Sequence, residues 1–149
     1  DDLSVAGAAI ADADGDSIAD LVYLAQRNQQ MYLVSYLGKR DDTFDVLGIE
    51  SDDLGPALLL GGSRMKIVDV DGDSAVDIVV ASTETISVCF GRGDGTFAPP
   101  AESYEFYTSD RTSPGSSKIV VGDANNDGLL DFLGTRETRP GLMTLLQEP

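Results

Sequence analysis

The chain has 149 residues, of which 42% are hydrophobic and 24% charged, so it is long enough to bury the core of one domain. Its 26 Asp and Glu residues outnumber 10 Lys and Arg residues, and the formal net charge of −16 argues against a nucleic-acid partner. The chain has no histidine, the usual general base, so we expect no catalysis. It has a single cysteine, Cys89, so no intrachain disulfide forms.

Short β-rich segments separated by turns follow one another along the chain, and a helical period is not sustained. The first unit is predicted to have strands at 7–11, 21–25 and 30–36, the second at 66–70, 77–81, 85–90 and 102–108, and the third at 118–121, 132–133 and 142–146. We place the units at approximately 1–59, 60–115 and 116–149, with the last one incomplete. Apolar runs are too short to cross a membrane, so no membrane insertion is expected.

Three acidic nonapeptides lie between the first and second strands of these units. They begin at Asp12, Asp69 and Asp123, offset by 57 and 54 residues, and hold 11 of the 26 acidic residues. A nearly constant offset of this size indicates a repeat protein. Each nonapeptide places side-chain oxygens at positions 1, 3, 5 and 9, as a hard cation such as calcium requires.

We therefore predict about three structural Ca²⁺ ions, each held by four side chains and by the backbone carbonyl of loop position 7. The predicted ligands are Asp12, Asp14, Asp16, Ile18, Asp20, Asp69, Asp71, Asp73, Ala75, Asp77, Asp123, Asn125, Asp127, Leu129 and Asp131. Four neighbouring carboxylates repel one another strongly without a cation, which favours occupancy. The third loop has one carboxylate fewer and Asn126 instead of glycine, so we expect it to bind calcium more weakly.

Two other interpretations of the loops exist. An Asx-rich turn uses the same residues to cap strands without a metal, but three copies in register favour the metal. The EF-hand shares the opening acidic positions but needs a glutamate at position 12, where this chain has Tyr23, Val80 and Gly134. The segment after each loop also has the pattern of a strand rather than of a helix, so an EF-hand is excluded.

A glycine-rich turn follows the third strand of the first two units, at 38–44 and 91–97. The acidic loop followed by Phe90-Gly-Arg-Gly-Asp-Gly-Thr-Phe97 closely resembles the FG-GAP/VCBS repeat, whose relatives include the propeller of integrin alpha subunits. This resemblance implies an all-β fold of four-stranded antiparallel β-propeller blades with calcium loops, here about two and two-thirds blades. Since so few blades do not close a ring, we expect further blades from the same parent chain or from other subunits.

The resemblance implies an extracellular or cell-surface module in which calcium is structural and a protein or glycan ligand binds at a propeller face. Alternatives are a lectin-like module using Tyr104 or Tyr107, a structural subunit that assembles through open blade edges, and an accessory domain of a secreted enzyme. Arg92-Gly93-Asp94 spells an integrin-recognition tripeptide, but a variable residue in the family's turn explains it better. Cys89 lies in a predicted strand and is interpreted as a packed thiol.

Overall fold

The computed structural model describes residues 4–28, 30–45, 48–51, 54, 64–81, 85–100, 102–105, 116–136 and 142–145. Within these ranges the chain is all-β and contains no helix, hence none long enough to cross a membrane. The strands are β1 (Ser4–Ala11), β2 (Asp20–Arg27), β3 (Gln30–Tyr36), β4 (Ile49–Glu50), β5 (Arg64–Val68), β6 (Asp77–Ala81), β7 (Thr85–Cys89), β8 (Glu102–Glu105), β9 (Ser116–Gly122), β10 (Asp131–Arg136) and β11 (Leu142–Leu145).

The strands form three antiparallel sheets, each made of neighbours in the sequence. The first sheet has the order β1-β2-β3-β4, the second β5-β6-β7-β8, and the third β9-β10-β11 over the strands that are described. An acidic nonapeptide joins the first two strands of every sheet, so that Asp20, Asp77 and Asp131 open the second strands. The predicted all-β fold with sheets of this type is confirmed.

Two details of the predicted strands are wrong. Ile49–Glu50 is a fourth strand of the first unit, paired with Val34 and Ser35, and was not among the predicted strands. The strand predicted at 66–70 ends at Val68, because the Asp69 carboxylate accepts backbone N–H groups of the loop and turns the chain. The predicted strand at 102–108 is a strand over Glu102–Glu105, and its remaining residues, including Phe106 and Tyr107, lie outside the described ones.

The second sheet is packed between the other two. Ile78 and Val80 of β6 belong to the cluster shared with the first sheet, whereas Val79 between them belongs to the cluster shared with the third. Strand alternation thus sends neighbouring side chains into two different cores. The first cluster contains Ala13, Val22, Leu24, Met31, Leu33, Leu54, Ile78, Val80, Cys89 and Phe97. The second contains Val70, Val79, Ile86, Val88, Ile119 and Phe132.

Polar contacts also join the first sheet to the second. The glycine-rich turn after β7 approaches the first sheet, where Gly95 N–H donates to the carbonyl of Ala13 at 3.0 Å. Phe97 N–H donates to Ser51 Oγ at 2.9 Å, in a fully buried position. The glycine-rich turn of the second repeat is therefore seated on the acidic loop of the first repeat and on Ser51, which follows its last strand.

Candidate metal-binding loops and the turns behind them

The first carboxylate of each loop organises the backbone. Asp12 accepts the N–H groups of Gly15 and Ser17, both at 2.9 Å, one on each carboxylate oxygen. Asp69 does the same for Gly72 and Ser74, at 2.7 and 3.0 Å. Each carboxylate oxygen has two lone pairs, so these bonds shape the loop and still leave lone pairs free for a cation.

Loop positions 4 and 6 both adopt the left-handed backbone conformation. Position 4 is Gly15 or Gly72, each with φ of 79°, and position 6 is Ser17 with φ of 68° or Ser74 with φ of 76°. The third loop reverses the residue types, with Asn126 at position 4 and Gly128 at position 6. The need for glycine was predicted at position 4, but the same need at position 6 was missed because serine gives no such signal.

The last carboxylate of each loop is buried and ties the loop to the rest of its sheet. Asp20 Oδ2 accepts Ala13 N–H at 2.7 Å, and its Oδ1 accepts Gly38 N–H at 2.8 Å. Asp77 repeats the arrangement with Val70 and Gly91, at 2.7 and 2.9 Å. Position 9 was predicted as a metal ligand alone, and the sequence did not reveal this link between the loop and the glycine-rich turn.

The glycine that begins each turn has no room for a side chain. A Cβ added to Gly91 would lie 2.2 Å from the carbonyl oxygen of Val76, and one on Gly38 would lie 2.2 Å from that of Ala19. Both contacts are with backbone and are far inside van der Waals distance. Glycine is therefore required by the close approach of the turn to the acidic loop rather than by its backbone angles.

The residues of the first two loops fit a hard cation. One carboxylate oxygen from each of Asp12, Asp14 and Asp16, at positions 1, 3 and 5 of the first loop, lies within 4.8 Å of the others. In the second loop the converging group is Asp69, Asp71 and Asp77, at positions 1, 3 and 9. Burial raises the pKa of Asp14, and the charges of its three acidic neighbours in the loop add to this effect. The pKa of Asp77 is raised mainly by burial and further by Asp71 and Asp73. A bound cation would relieve this repulsion.

The third loop is built differently from the other two. Asn125 Nδ2 donates to Asp127 Oδ2 at 2.8 Å, so one oxygen of the position 5 carboxylate is engaged inside the loop. Asp127 Oδ1 accepts Leu129 N–H at 2.8 Å, and Asp131 Oδ2 accepts Ala124 N–H at 2.7 Å. In this described loop the three carboxylates do not converge as in the other two. The expectation that it binds calcium more weakly stays a prediction.

The Arg92-Gly93-Asp94 tripeptide is part of the internal bonding of its turn. Arg92 Nη1 donates to Thr96 Oγ1 and to the carbonyl of Phe97, at 3.2 and 3.1 Å. Asp94 Oδ1 accepts both the N–H and the hydroxyl of Thr96, at 2.9 and 2.6 Å. Asp41 and Thr43 repeat the second arrangement in the first unit. The two charged side chains of the tripeptide thus stabilise the turn.

Cys89 and a cleft are the other chemically notable features near the loops. The Cys89 side chain is buried in the first cluster, and burial raises the pKa of its thiol to about 12, with a smaller effect from Asp77.

A cleft of about 430 Å³ separates the first acidic loop from the second loop and its turn. Asp12, Asp73, Ser74 and Arg92 are among the residues that line it, so both signs of charge face this cleft.

Comparison with known proteins agrees with this geometry. The model of the FG-GAP-like repeat matches residues 69–134, which begin at the second acidic loop and end within β10. This part of the chain is similar to an FG-GAP-like repeat. Neither the search of curated proteins nor that of solved structures finds a match to the chain. Because FG-GAP-like repeats form β-propeller blades, the sheets described above are blades of this type.

Proposed function

We propose that the chain is a non-catalytic, calcium-stabilised propeller module that binds a protein or glycan partner outside the cell. The observation that carries the calcium assignment is the convergence of three carboxylate oxygens within 4.8 Å in each of the first two loops. Calcium prefers six to eight oxygen ligands in flexible geometry, and short loops with alternating carboxylates supply many of them. Exposed sites of this kind suit the millimolar calcium found outside cells.

The role proposed for calcium is structural. Bound calcium would supply positive charge between the converging carboxylates, at positions 1, 3 and 5 of the first loop and 1, 3 and 9 of the second, whose repulsion otherwise opposes the folded loop. The buried carboxylate at position 9 then transmits the order of the loop to the glycine-rich turn through its second oxygen. That turn is seated on the preceding blade, so fixing one loop also fixes the contact between two blades.

The cleft between the first two loops favours a binding role. It has about 430 Å³ of space, which suits a side chain or one sugar unit of a larger ligand, and its rim carries Asp12, Asp73 and Arg92. Asp12 is a proposed calcium ligand, so calcium occupancy would set the charge that a partner meets there. A glycan array and a screen of matrix proteins in calcium separate the lectin-like alternative from protein adhesion.

Calorimetric titration of the chain with calcium tests the calcium assignment. We expect saturable binding at up to millimolar concentrations, and Asp71→Asn should weaken one site at least about tenfold, since it removes a ligand charge. Asp94→Asn is the matched control because Asp94 lies in the glycine-rich turn, outside the acidic loops, and accepts hydrogen bonds from Thr96. Absence of binding, or equal isotherms for Asp71→Asn and the unaltered chain, would overturn the assignment.

A further inference from the structure

The glycine-rich turn 91–97 of the second blade is hydrogen-bonded to both of the first two acidic loops. At its start, Gly91 N–H donates to Asp77 Oδ1 at 2.9 Å, and Asp77 closes the second loop. Four residues later, Gly95 N–H donates to the carbonyl oxygen of Ala13 at 3.0 Å, and Ala13 is position 2 of the first loop. The turn is therefore a direct backbone connection between loops that belong to different blades.

Both ends of this connection lie at proposed calcium ligands. Asp77 is one of the three carboxylates that converge in the second loop. Ala13 lies between Asp12 and Asp14, two of the three that converge in the first. Ala13 N–H donates to Asp20 Oδ2 at 2.7 Å, and its carbonyl oxygen accepts from the turn. The two peptide groups between Asp12 and Asp14 are thus held, one by the first loop itself and the other by the second blade.

Hydrogen bonds within the turn make it a stiff connection. Arg92 N–H donates to the carbonyl oxygen of Thr96 at 3.0 Å, and the Arg92 side chain donates to Thr96 Oγ1 and to the carbonyl of Phe97. Asp94 Oδ1 accepts from the N–H and the hydroxyl of Thr96. The Phe97 side chain is fully buried in the first cluster, which fixes the end of the turn to the first blade. A displacement at the start of the turn is therefore passed on to its far end.

Gly95 is the point at which the backbone of the turn meets the first blade most closely. A Cβ added to it would lie 3.0 Å from Leu37 Cδ2 and 3.5 Å from Ile49 Cδ1. Its φ of 82° does not by itself require glycine, because the equivalent residue of the first turn is Asp42, with φ of 63°. Gly93 has a similar φ of 68°, but a Cβ there would meet nothing within 4 Å. The two glycines therefore differ mainly in their contact with the neighbouring blade.

We propose that the first two loops bind calcium with positive cooperativity, transmitted by the turn 91–97 through Gly95. This cooperativity rests on the calcium binding proposed above. Carboxylates that converge on calcium in one loop order that loop, the turn and the ligands of the other loop. The other loop then binds its ion at a smaller entropic cost, and by linkage the gain in affinity is the same in both directions. Repulsion between the two ions acts in the opposite sense, but it is reduced by salt and by the four aspartates of each loop.

Calorimetric titration with calcium at physiological salt tests the cooperativity. Asp71→Asn weakens the second loop and leaves the first to be titrated, Asp14→Asn does the reverse, and the double variant measures the third loop, which all the chains share. We expect the product of the two association constants in the unaltered chain to exceed the product of those measured in the single variants at least about fivefold. Equal products, with calcium bound in both loops, would overturn the cooperativity but not the calcium assignment. Absence of binding in both loops would overturn the two together.

Variants of the turn, each titrated with and without the loop substitutions, test the route. Gly95→Ala should reduce the ratio of the two products to about one, since the added Cβ pushes the turn away from the first blade and lengthens the hydrogen bond to Ala13. Gly93→Ala strains the backbone similarly without touching the first blade, so it should leave the ratio unchanged. Ser51→Ala removes the acceptor of Phe97 N–H, should also lower the ratio, and serves as the test if Gly95→Ala does not fold. The same ratio in Gly95→Ala, Ser51→Ala and Gly93→Ala would overturn the role of the turn.

Discussion

At the scale of single residues, the aspartates of a loop have different tasks although they look alike in the sequence. Asp12 and Asp69 fold the loop by accepting two of its N–H groups, whereas Asp14 and Asp71 accept one such bond, at 3.2 Å. Asp77 is buried and uses both oxygens to join two separate parts of the backbone. Loop position therefore decides how much of the backbone an aspartate organises in addition to the lone pairs it offers a cation.

Asp77→Asn should destabilise the protein by about 2–4 kcal/mol, because hydrogen bonds to a buried charge are strong. The NH₂ group of the asparagine would also face a backbone N–H group that now donates to Asp77. The cost should persist in chelator, since both partners of Asp77 are backbone N–H groups. Urea unfolding measures it, with Asp94→Asn as a control that should change the free energy of unfolding by less than about 1 kcal/mol. Equal stability of the two variants would refute the structural role of Asp77.

Ser74→Gly should stabilise the protein by about 0.5–1 kcal/mol, because Ser74 has a φ of 76° that glycine adopts without steric cost. Ala75→Gly at the next position is the control and should be destabilising, as glycine there only increases the entropy of the unfolded chain. Thermal melting of the two variants provides the comparison. A loss of stability in Ser74→Gly would contradict this prediction, because it would mean that Ser74 stabilises the folded protein by more than its backbone strain destabilises it.

At the scale of elements, the acidic loop and the glycine-rich turn act as one unit. The turn begins with a glycine whose N–H binds the last carboxylate of the loop, and ends with a phenylalanine. In the second blade that phenylalanine enters the core shared with the first blade, and the turn also donates hydrogen bonds to Ala13 and Ser51. One short segment thus connects a candidate cation site to the packing between blades.

Gly91→Ala should destabilise the protein by about 3 kcal/mol or more, because the added Cβ would lie 2.2 Å from a backbone carbonyl and the turn would have to move. Gly93→Ala is the matched control in the same turn. Its Cβ meets nothing within 4 Å, so only its φ of 68° is strained and the cost should be about 1 kcal/mol. Chemical unfolding of both variants checks the order, and a reversed order would contradict the close approach of turn and loop.

The sequence predicts the parts of this unit whose signal is local. Side-chain oxygens at fixed offsets locate the loops, and alternating apolar residues locate most strands. The strand Ile49–Glu50, the hydrogen bond from Phe97 to Ser51 and the bridging role of Asp77 were not predicted, because each depends on residues distant in the sequence. Ser17 and Ser74 gave no signal either, since their left-handed conformation is imposed by the N–H bonds that Asp12 and Asp69 accept.

At the scale of the whole molecule, three sheets pack in chain order and share two separate cores. Stability in such an arrangement comes from each repeat and from its contact with its neighbours. The acidic loops concentrate negative charge next to these contacts in a chain of net charge −16. Calcium is proposed to offset that charge, so the stability of the blades and the occupancy of the loops should change together.

Thermal melting in millimolar calcium and in excess chelator tests this central claim most directly. We expect the melting temperature to fall by at least about 5 °C in chelator, the shift that corresponds to one well-occupied site in a domain of this size, and to recover on adding calcium. Magnesium at the same concentration should restore little, because it demands a smaller, octahedral site. The same melting temperature in calcium and in chelator would contradict the account.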